Sequence, residues 1–83
     1  MTTTAEPDYR EALDLARDGH WEESHKLVQQ YSDAMACRIH AYLHRVEGDT
    51  SNAGYWYRRA GVSVFSGTQK EELTALYDAL KAT

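Results

Sequence analysis

The apolar residues of this chain recur every three or four positions, which is the period of a helix with one buried face. Five such stretches follow one another, separated by short polar or glycine-containing segments. The pattern therefore predicts an all-α fold of about five antiparallel helices. The predicted buried positions, helix by helix, are Tyr9, Ala12, Leu13 and Ala16; Trp21, Ser24, Leu27, Val28 and Tyr31; Met35, Ile39, Tyr42, Leu43 and Val46; Ala53, Trp56, Tyr57 and Ala60; and Leu73, Leu76, Tyr77 and Leu80.

Residues that favour helix ends lie at the edges of these stretches. Pro7 suits the first position of the first helix, where its missing N–H is not needed. Ser32 or Asp33 can cap the third helix, and Thr68 with Glu71 three residues later is a capping box for the last. Glycines that can end a helix follow the first, third and fourth stretches: Gly19, Gly48 and Gly61.

A chain of 83 residues has room for one domain. We expect residues 1–6 to form a disordered tail and residues 7–83 to form a single helical domain. Residues 62–67 alternate between apolar and polar types, but the chain offers no partner strand. They are interpreted as a loop whose Val62, Val64 and Phe65 pack on the core.

An internal repeat appears when the chain is shifted by 29 residues. Each copy is a helix, an acid-glycine stop, a short turn and a second helix with a small residue early on its inner face. This order is typical of helix-hairpin repeats, in which the small residue lets the two helices approach closely. The matching pairs are Ala12 and Ala41, Asp18 and Glu47, Gly19 and Gly48, and Ser24 and Ala53.

The repeat resembles tetratricopeptide-type repeats. The pattern Gly19-x-Trp21-x-x-Ser24 is similar to the glycine, aromatic and small residue of that motif, and Asn52-Ala53-x-x-Trp56-Tyr57-x-x-Ala60 is similar to the second helix of the related Sel1-type repeat. The resemblance implies a tetratricopeptide-like bundle of helix hairpins with a concave groove for a partner. The chain departs from the pattern in its short offset and in lacking the proline that ends each repeat.

A closer resemblance covers the centre of the chain. The stretches His40-Ala-Tyr-Leu-His-Arg-Val-Glu-Gly-Asp49 and Asn52-Ala-Gly-Tyr-Trp-Tyr-Arg-Arg-Ala-Gly61, with Trp21-Glu-Glu-Ser-His25 before them, resemble the signature of a small bacterial and fungal family of helical proteins. That family has no assigned activity. The resemblance implies a discrete helical protein and transfers no catalytic residue.

Composition narrows the range of functions. The 13 acidic and 9 basic residues give a formal charge of -4, which argues against nucleic acid as a partner. The single cysteine, Cys37, excludes an internal disulfide and fits a reducing compartment. No apolar run approaches the length of a membrane span, and the first residues lack the features of a secretion signal. We therefore expect a cytoplasmic protein without membrane contact.

Histidines supply the first candidate site. His40, His44 and Glu47 follow the i, i+4, i+7 spacing of one helical face, and His25 on the preceding helix can add a fourth ligand. Two imidazoles at this spacing can share a transition metal such as zinc. One competing interpretation is structural, because an imidazole at the edge of a helix interface often donates to a backbone carbonyl or a carboxylate. The other is a site that binds an organic ligand. No complete zinc-enzyme motif is present, since Ala41 follows His40 where glutamate is needed.

The fourth helix supplies the second candidate site. Tyr55 and Arg59 are four residues apart on the side opposite Trp56 and Tyr57, so the guanidinium can stack on the tyrosine ring. This pair has two alternative roles. It is either a binding hot spot or a pair of side chains that covers the helix surface and tolerates solvent. Arg58 is expected to pair with Glu47 or Asp49 across the turn. The full set of candidate binding residues is Tyr55, Arg58, Arg59, His40 and Asp49.

Two functions follow from these sites. The first is a helical-repeat interaction or ligand-binding module, which would hold a protein or peptide partner or a second copy of itself as a homodimer. The alternative is a small metal-binding protein or metallohydrolase that uses His25, His40, His44 and Glu47. The first of these, the binding module, is the leading expectation from the sequence, which favours a protein without enzymatic activity but leaves that question open.

Overall fold

The computed structural model describes residues 8–81, which form five α-helices and no β-strand. The predicted all-α fold is therefore confirmed. The predicted tail at residues 1–6 and the proposed helix start at Pro7 lie outside the described residues. None of the five helices combines the length and the apolar composition that crossing a membrane requires. The helices are α1 (Tyr9–Arg17), α2 (Trp21–Val28), α3 (Ala34–Val46), α4 (Thr50–Ala60) and α5 (Gln69–Lys81).

Aspartate side chains cap three of these helices. The carboxylates of Asp8, Asp33 and Asp49 accept hydrogen bonds from backbone N–H groups in the first turns of α1, α3 and α4, which satisfies donors that have no partner within the helix. The predicted capping box precedes α5, since Thr68 and Glu71 exchange side-chain to backbone bonds. Of the two residues predicted to cap α3, Ser32 and Asp33, the structure shows that Asp33 does so.

The helices pack as two hairpins and a final helix. α1 packs against α2, α3 packs against α4, and α5 packs against both α1 and α3. Small buried residues lie where each hairpin closes: Ser24 Oγ donates to the carbonyl of Ala12 at 2.8 Å, and Ala41 and Ala53 share one buried cluster. The tetratricopeptide-like arrangement and the internal repeat stay predictions.

The core has a larger and a smaller part. The larger one joins α1, α2, α3 and α5 through Ala12, Leu13, Val28, Ile39, Tyr42, Leu43 and Leu76. The smaller one joins α3 and α4 through Ala41, Ala53 and Tyr57, with Trp56 and Phe65 packed against it. Most of the predicted buried positions therefore contribute to a hydrophobic cluster.

Four of the predicted core residues are exposed instead: Tyr31, Val46, Val62 and Val64. Their predicted burial is wrong, because each lies where a helix has ended or is ending. Tyr31 follows α2, which stops at Val28, and Val46 is the last residue of α3. In the loop after α4, only Phe65 reaches the core, so the other two valines face solvent.

A buried polar network ties α5 to the second hairpin. Glu72, on α5, is 3% exposed. Its carboxylate accepts from Arg45 Nη1 at 2.9 Å and from the Tyr57 hydroxyl at 2.5 Å. Arg45 also donates to the carbonyl of Gly67. Burial and the bond to Glu72 raise the pKa of Tyr57 well above its ordinary value, so the phenol stays a proton donor.

Candidate metal centre

Three histidines from two facing helices converge at one point. His25 lies on α2, whereas His40 and His44 lie on α3. The Nε2 atoms of His25 and His40 are 2.9 Å apart, and one ring nitrogen of each of the three residues lies within 4.8 Å of the others. We call His25, His40 and His44 the histidine cluster. It contains three of the four residues that the sequence indicated as metal ligands.

Trp21 holds His25 in position against α3. Its indole N–H donates to the carbonyl of Leu43 at 2.7 Å, which fixes the start of α2 on the third helix. Its ring stacks on the imidazole of His25, with centroids 4.7 Å apart and planes at 11°. The two residues are four apart on α2, so one helical face supplies both the anchor and the ligand.

Trp56 bounds the other side of the histidine cluster. Its ring stacks on His40 with a centroid distance of 3.7 Å and an interplanar angle of 10°. The imidazoles of His40 and His44 are themselves nearly parallel, at 5.0 Å and 21°. His40 and His44 are only 5% and 8% exposed, so packing restricts the rotation of both rings.

Glu47 fixes the tautomer of His44. Its Oε1 atom lies 2.7 Å from His44 Nδ1, so Nδ1–H donates to the carboxylate, and in the neutral ring the lone pair is on Nε2. A carboxylate behind a metal-binding histidine orients the ring and raises its basicity. The structure thus places Glu47 behind the histidine cluster. Glu47 and Asp49 also form a second group of nearby oxygen ligands with His44.

Two imidazoles of the histidine cluster, those of His25 and His40, favour the neutral form. Burial, and then the charges that His25 and His44 would carry, lower the pKa of His40 from 6.5 to about 4. Burial and His44 also lower the pKa of His25. A neutral imidazole offers the lone pair that a metal ion requires, so protons compete weakly for His25 and His40 at neutral pH.

The donor set fits a late transition metal. At a zinc–nitrogen distance of about 2.05 Å, two ligands of a tetrahedral ion lie about 3.3 Å apart. The His25–His40 separation of 2.9 Å is close to that value, and a ring nitrogen of His44 lies within 4.8 Å of the other two. Imidazole ligands suit zinc, copper, nickel and cobalt ions. The Nε2 atoms of His25 and His40 face each other, whereas Nδ1 of His44 bonds to the Glu47 carboxylate, as the structural interpretation expects.

Of the two contacts predicted for the second candidate site, the described residues form the one between Tyr55 and Arg59. Arg59 Nη1 donates to the Tyr55 hydroxyl at 3.0 Å, and its guanidinium carbon lies 5.7 Å from the centre of that ring. The predicted Tyr55–Arg59 pair is therefore confirmed, while its role in binding a partner stays a prediction. The prediction that the pair lies opposite Trp56 is wrong for Arg59, because its guanidinium carbon is also 5.1 Å from the centre of the Trp56 ring.

The expected ion pair of Arg58 is wrong, because no carboxylate lies within salt-bridge distance of it in the described part of the chain. Its guanidinium lies next to Gly54 instead. The two carboxylates expected to pair with it have other partners. Glu47 bonds to His44, and Asp49 binds both the backbone and the side chain of Asn52.

Sequence reasoning did not identify the two tryptophans as part of the site. A signal was present for Trp21, because it precedes His25 by one helical turn. Trp56 was assigned to the core, and only the packing of α4 on α3 shows that its ring stacks on His40. No family model, curated protein or solved structure matches the chain. Inference about function therefore depends on the geometry of this site.

Proposed function

We propose that this protein binds one divalent transition metal ion, of which zinc is the first candidate, through His25, His40 and His44. The observation that carries the proposal is the convergence of three ring nitrogens, one from each residue, within 4.8 Å of one another. A shared metal ion would favour this arrangement, because it accepts a lone pair from each neutral imidazole.

The surroundings of the histidine cluster support the same function. Two stacked indole rings hold His25 and His40, and a carboxylate holds His44. Supporting contacts of this kind orient ligands at metal sites. Three protein ligands leave a fourth position of a tetrahedral ion free for water or another ligand, as at catalytic rather than purely structural zinc sites. Hydrolysis by such a centre stays a prediction.

The alternative function, a groove that binds a partner, has less support. α5 packs against α1 and α3, the first helices of the two hairpins. A Tyr77–Asp14 hydrogen bond and the buried contact of Glu72 with Arg45 add to this packing. The chain's own last helix thus covers the side that α1 and α3 share. A partner would have to bind elsewhere, with the exposed Tyr55–Arg59 pair as the leading candidate surface.

Metal content tests the proposal directly. The protein, purified without a histidine tag and without chelators, should contain close to one equivalent of metal by elemental mass spectrometry, or should take up one equivalent of added zinc. His25→Ala, at the half-buried ligand, should abolish that uptake. The matched control is His20→Ala, because His20 is the fourth histidine of the chain and is exposed outside the histidine cluster. It should retain full uptake.

The wild-type protein gives a test that does not depend on a variant folding. X-ray absorption at the zinc edge should show about three imidazole ligands near 2.0–2.1 Å. Failure of the wild type to take up zinc, copper, nickel or cobalt at micromolar concentrations would overturn the proposal. Uptake that survives in His25→Ala would place the ion elsewhere and would overturn it equally.

A further inference from the structure

The histidine cluster carries no negative charge to neutralise a bound metal ion. All three ligands are imidazoles, and an imidazole binds a metal ion in its neutral form. The carboxylate hydrogen-bonded to this cluster is that of Glu47, which contributes one negative charge at His44. None of the three ligands is negative, so the ligands themselves would leave the charge of a divalent ion unneutralised, and a tetrahedral ion would have one further position open.

A permanent positive charge lies next to the site. The guanidinium carbon of Arg59 is 5.1 Å from the centre of the Trp56 ring, and that ring stacks on His40. Arg59 has no ion-pair partner among residues 8–81, so no carboxylate offsets its charge.

Tyr55 restrains the guanidinium of Arg59. The hydroxyl of Tyr55 accepts from Nη1 at 3.0 Å, and the rings of Tyr55 and Trp56 meet edge to face at 5.1 Å. A guanidinium has five N–H donors, so the bond to Tyr55 leaves donors available to another acceptor. These contacts hold the positive charge of Arg59 beside Trp56.

We propose that the metal-loaded site binds a small carboxylate anion at the open position of the ion, and that the charge of Arg59 strengthens this binding. The proposal rests on the proposed metal binding. Its basis is electrostatic: a divalent ion held by neutral ligands, with an unpaired arginine one aromatic ring away, favours an anion over a neutral ligand of the same shape.

Cobalt(II) makes this ligand observable. It binds the same imidazole donors as zinc, and its visible absorption reports the number and type of its ligands. The cobalt-loaded wild-type protein would be titrated with acetate and, separately, with acetamide, which has the same shape and no charge. We expect a saturable spectral change with acetate and little or none with acetamide.

Two arginine variants test the part that Arg59 plays. Arg59→Gln should weaken acetate binding about three- to tenfold, since one unit charge near the ion is removed. It should leave cobalt binding intact, because Arg59 is not a ligand. The matched control is Arg58→Gln, the same change of charge at the next residue, whose side chain lies against Gly54. Acetate binding should stay at the wild-type level in this control.

The outcomes separate this inference from the proposed function. A cobalt spectrum of bound imidazoles that does not respond to acetate would overturn the anion proposal and leave metal binding intact. An equal response to acetate and acetamide would do the same. Equal weakening in both arginine variants would overturn the assignment to Arg59. Absence of any cobalt uptake would overturn both proposals together.

Discussion

At the scale of single residues, the bond between Glu47 and His44 gives the sharpest prediction about metal affinity. Glu47→Gln removes the charge that stabilises His44 as a ligand, and loss of such a supporting carboxylate typically lowers metal affinity about 10- to 100-fold. Competition with a chromophoric zinc chelator measures this change. The control is Asp49→Asn, which removes a nearby charge but keeps a residue type that caps α4. An equal loss of affinity in both variants would contradict the specific role of Glu47.

The lowered pKa of His40 predicts how the stability of the metal-free protein depends on pH. Its pKa is about 4 in the folded protein and about 6.5 in an unfolded chain. The unfolded chain therefore binds more protons between these values, and the free energy of unfolding falls as the pH drops from 6.5 towards 4. The loss from this residue is on the order of 3 kcal/mol.

Urea unfolding of chelator-treated protein at pH 7.5 and at pH 4.5 measures this loss. His40→Gln should remove much of the difference between the two pH values, while His20→Gln, at an exposed position, should preserve it. The interpretation fails if His40→Gln keeps the full pH dependence, because acid sensitivity would then come from other groups.

The residues of the site could be predicted from the sequence only in part. The four-residue spacing of His40 and His44 is a local property of one helix, and it led directly to the predicted ligand pair. His25 was added because its helix was expected to pack against α3. The bond from Glu47 to one particular nitrogen, and the stacking of Trp56 on His40, depend on side-chain rotamers and on the packing of α4. The spacing of residues along the sequence predicts neither of these two contacts.

At the scale of helices, the network of Arg45, Glu72 and Tyr57 is the main polar connection between α5 and the second hairpin. Arg45→Met would leave the buried carboxylate of Glu72 without its charged partner, and such a loss typically costs about 3–5 kcal/mol. Replacing both residues, as Arg45→Met with Glu72→Leu, should recover a large part of that cost because no unpaired charge stays buried.

Urea unfolding of the two variants checks this prediction. The control is Arg17→Met, in which the same change breaks an exposed pair with Asp18 and should cost less than about 1 kcal/mol. A similar small cost for Arg45→Met would mean that Glu72 reaches water or becomes protonated with little penalty. The network would then contribute little to docking α5.

The ends of the helices could be predicted where a capping residue or a glycine determines them. Capping residues at Asp33 and Thr68 and the left-handed backbone at Gly48, with a φ of 89°, agree with the sequence pattern. Glu72 was missed because a charged residue is normally assigned to the solvent side. Its spacing of four from Leu76 indicated the buried face, but only the arginine from α3 makes its burial favourable.

At the scale of the whole molecule, the histidine cluster joins the two helix hairpins. His25 belongs to the first hairpin, and His40 and His44 belong to the second. The contact between α2 and α3 is therefore also the place where a metal ion would connect the two hairpins. The acidic first third of the chain and the more basic centre did not indicate this connection, since charge distribution carries no information on which helices meet.

Metal binding should accordingly stabilise the entire fold. An ion that binds only the folded chain adds about 2.7 kcal/mol to the free energy of unfolding at a free concentration 100 times its Kd. For a domain of this size, that corresponds to a rise in Tm on the order of 10 °C or more. Calorimetry with buffered zinc and with a chelator measures the difference. His20→Ala should keep the rise and His25→Ala should lose it. Zinc binding without a rise in Tm would mean that the unfolded chain binds the ion as well as the folded one does, which a site assembled from two hairpins excludes.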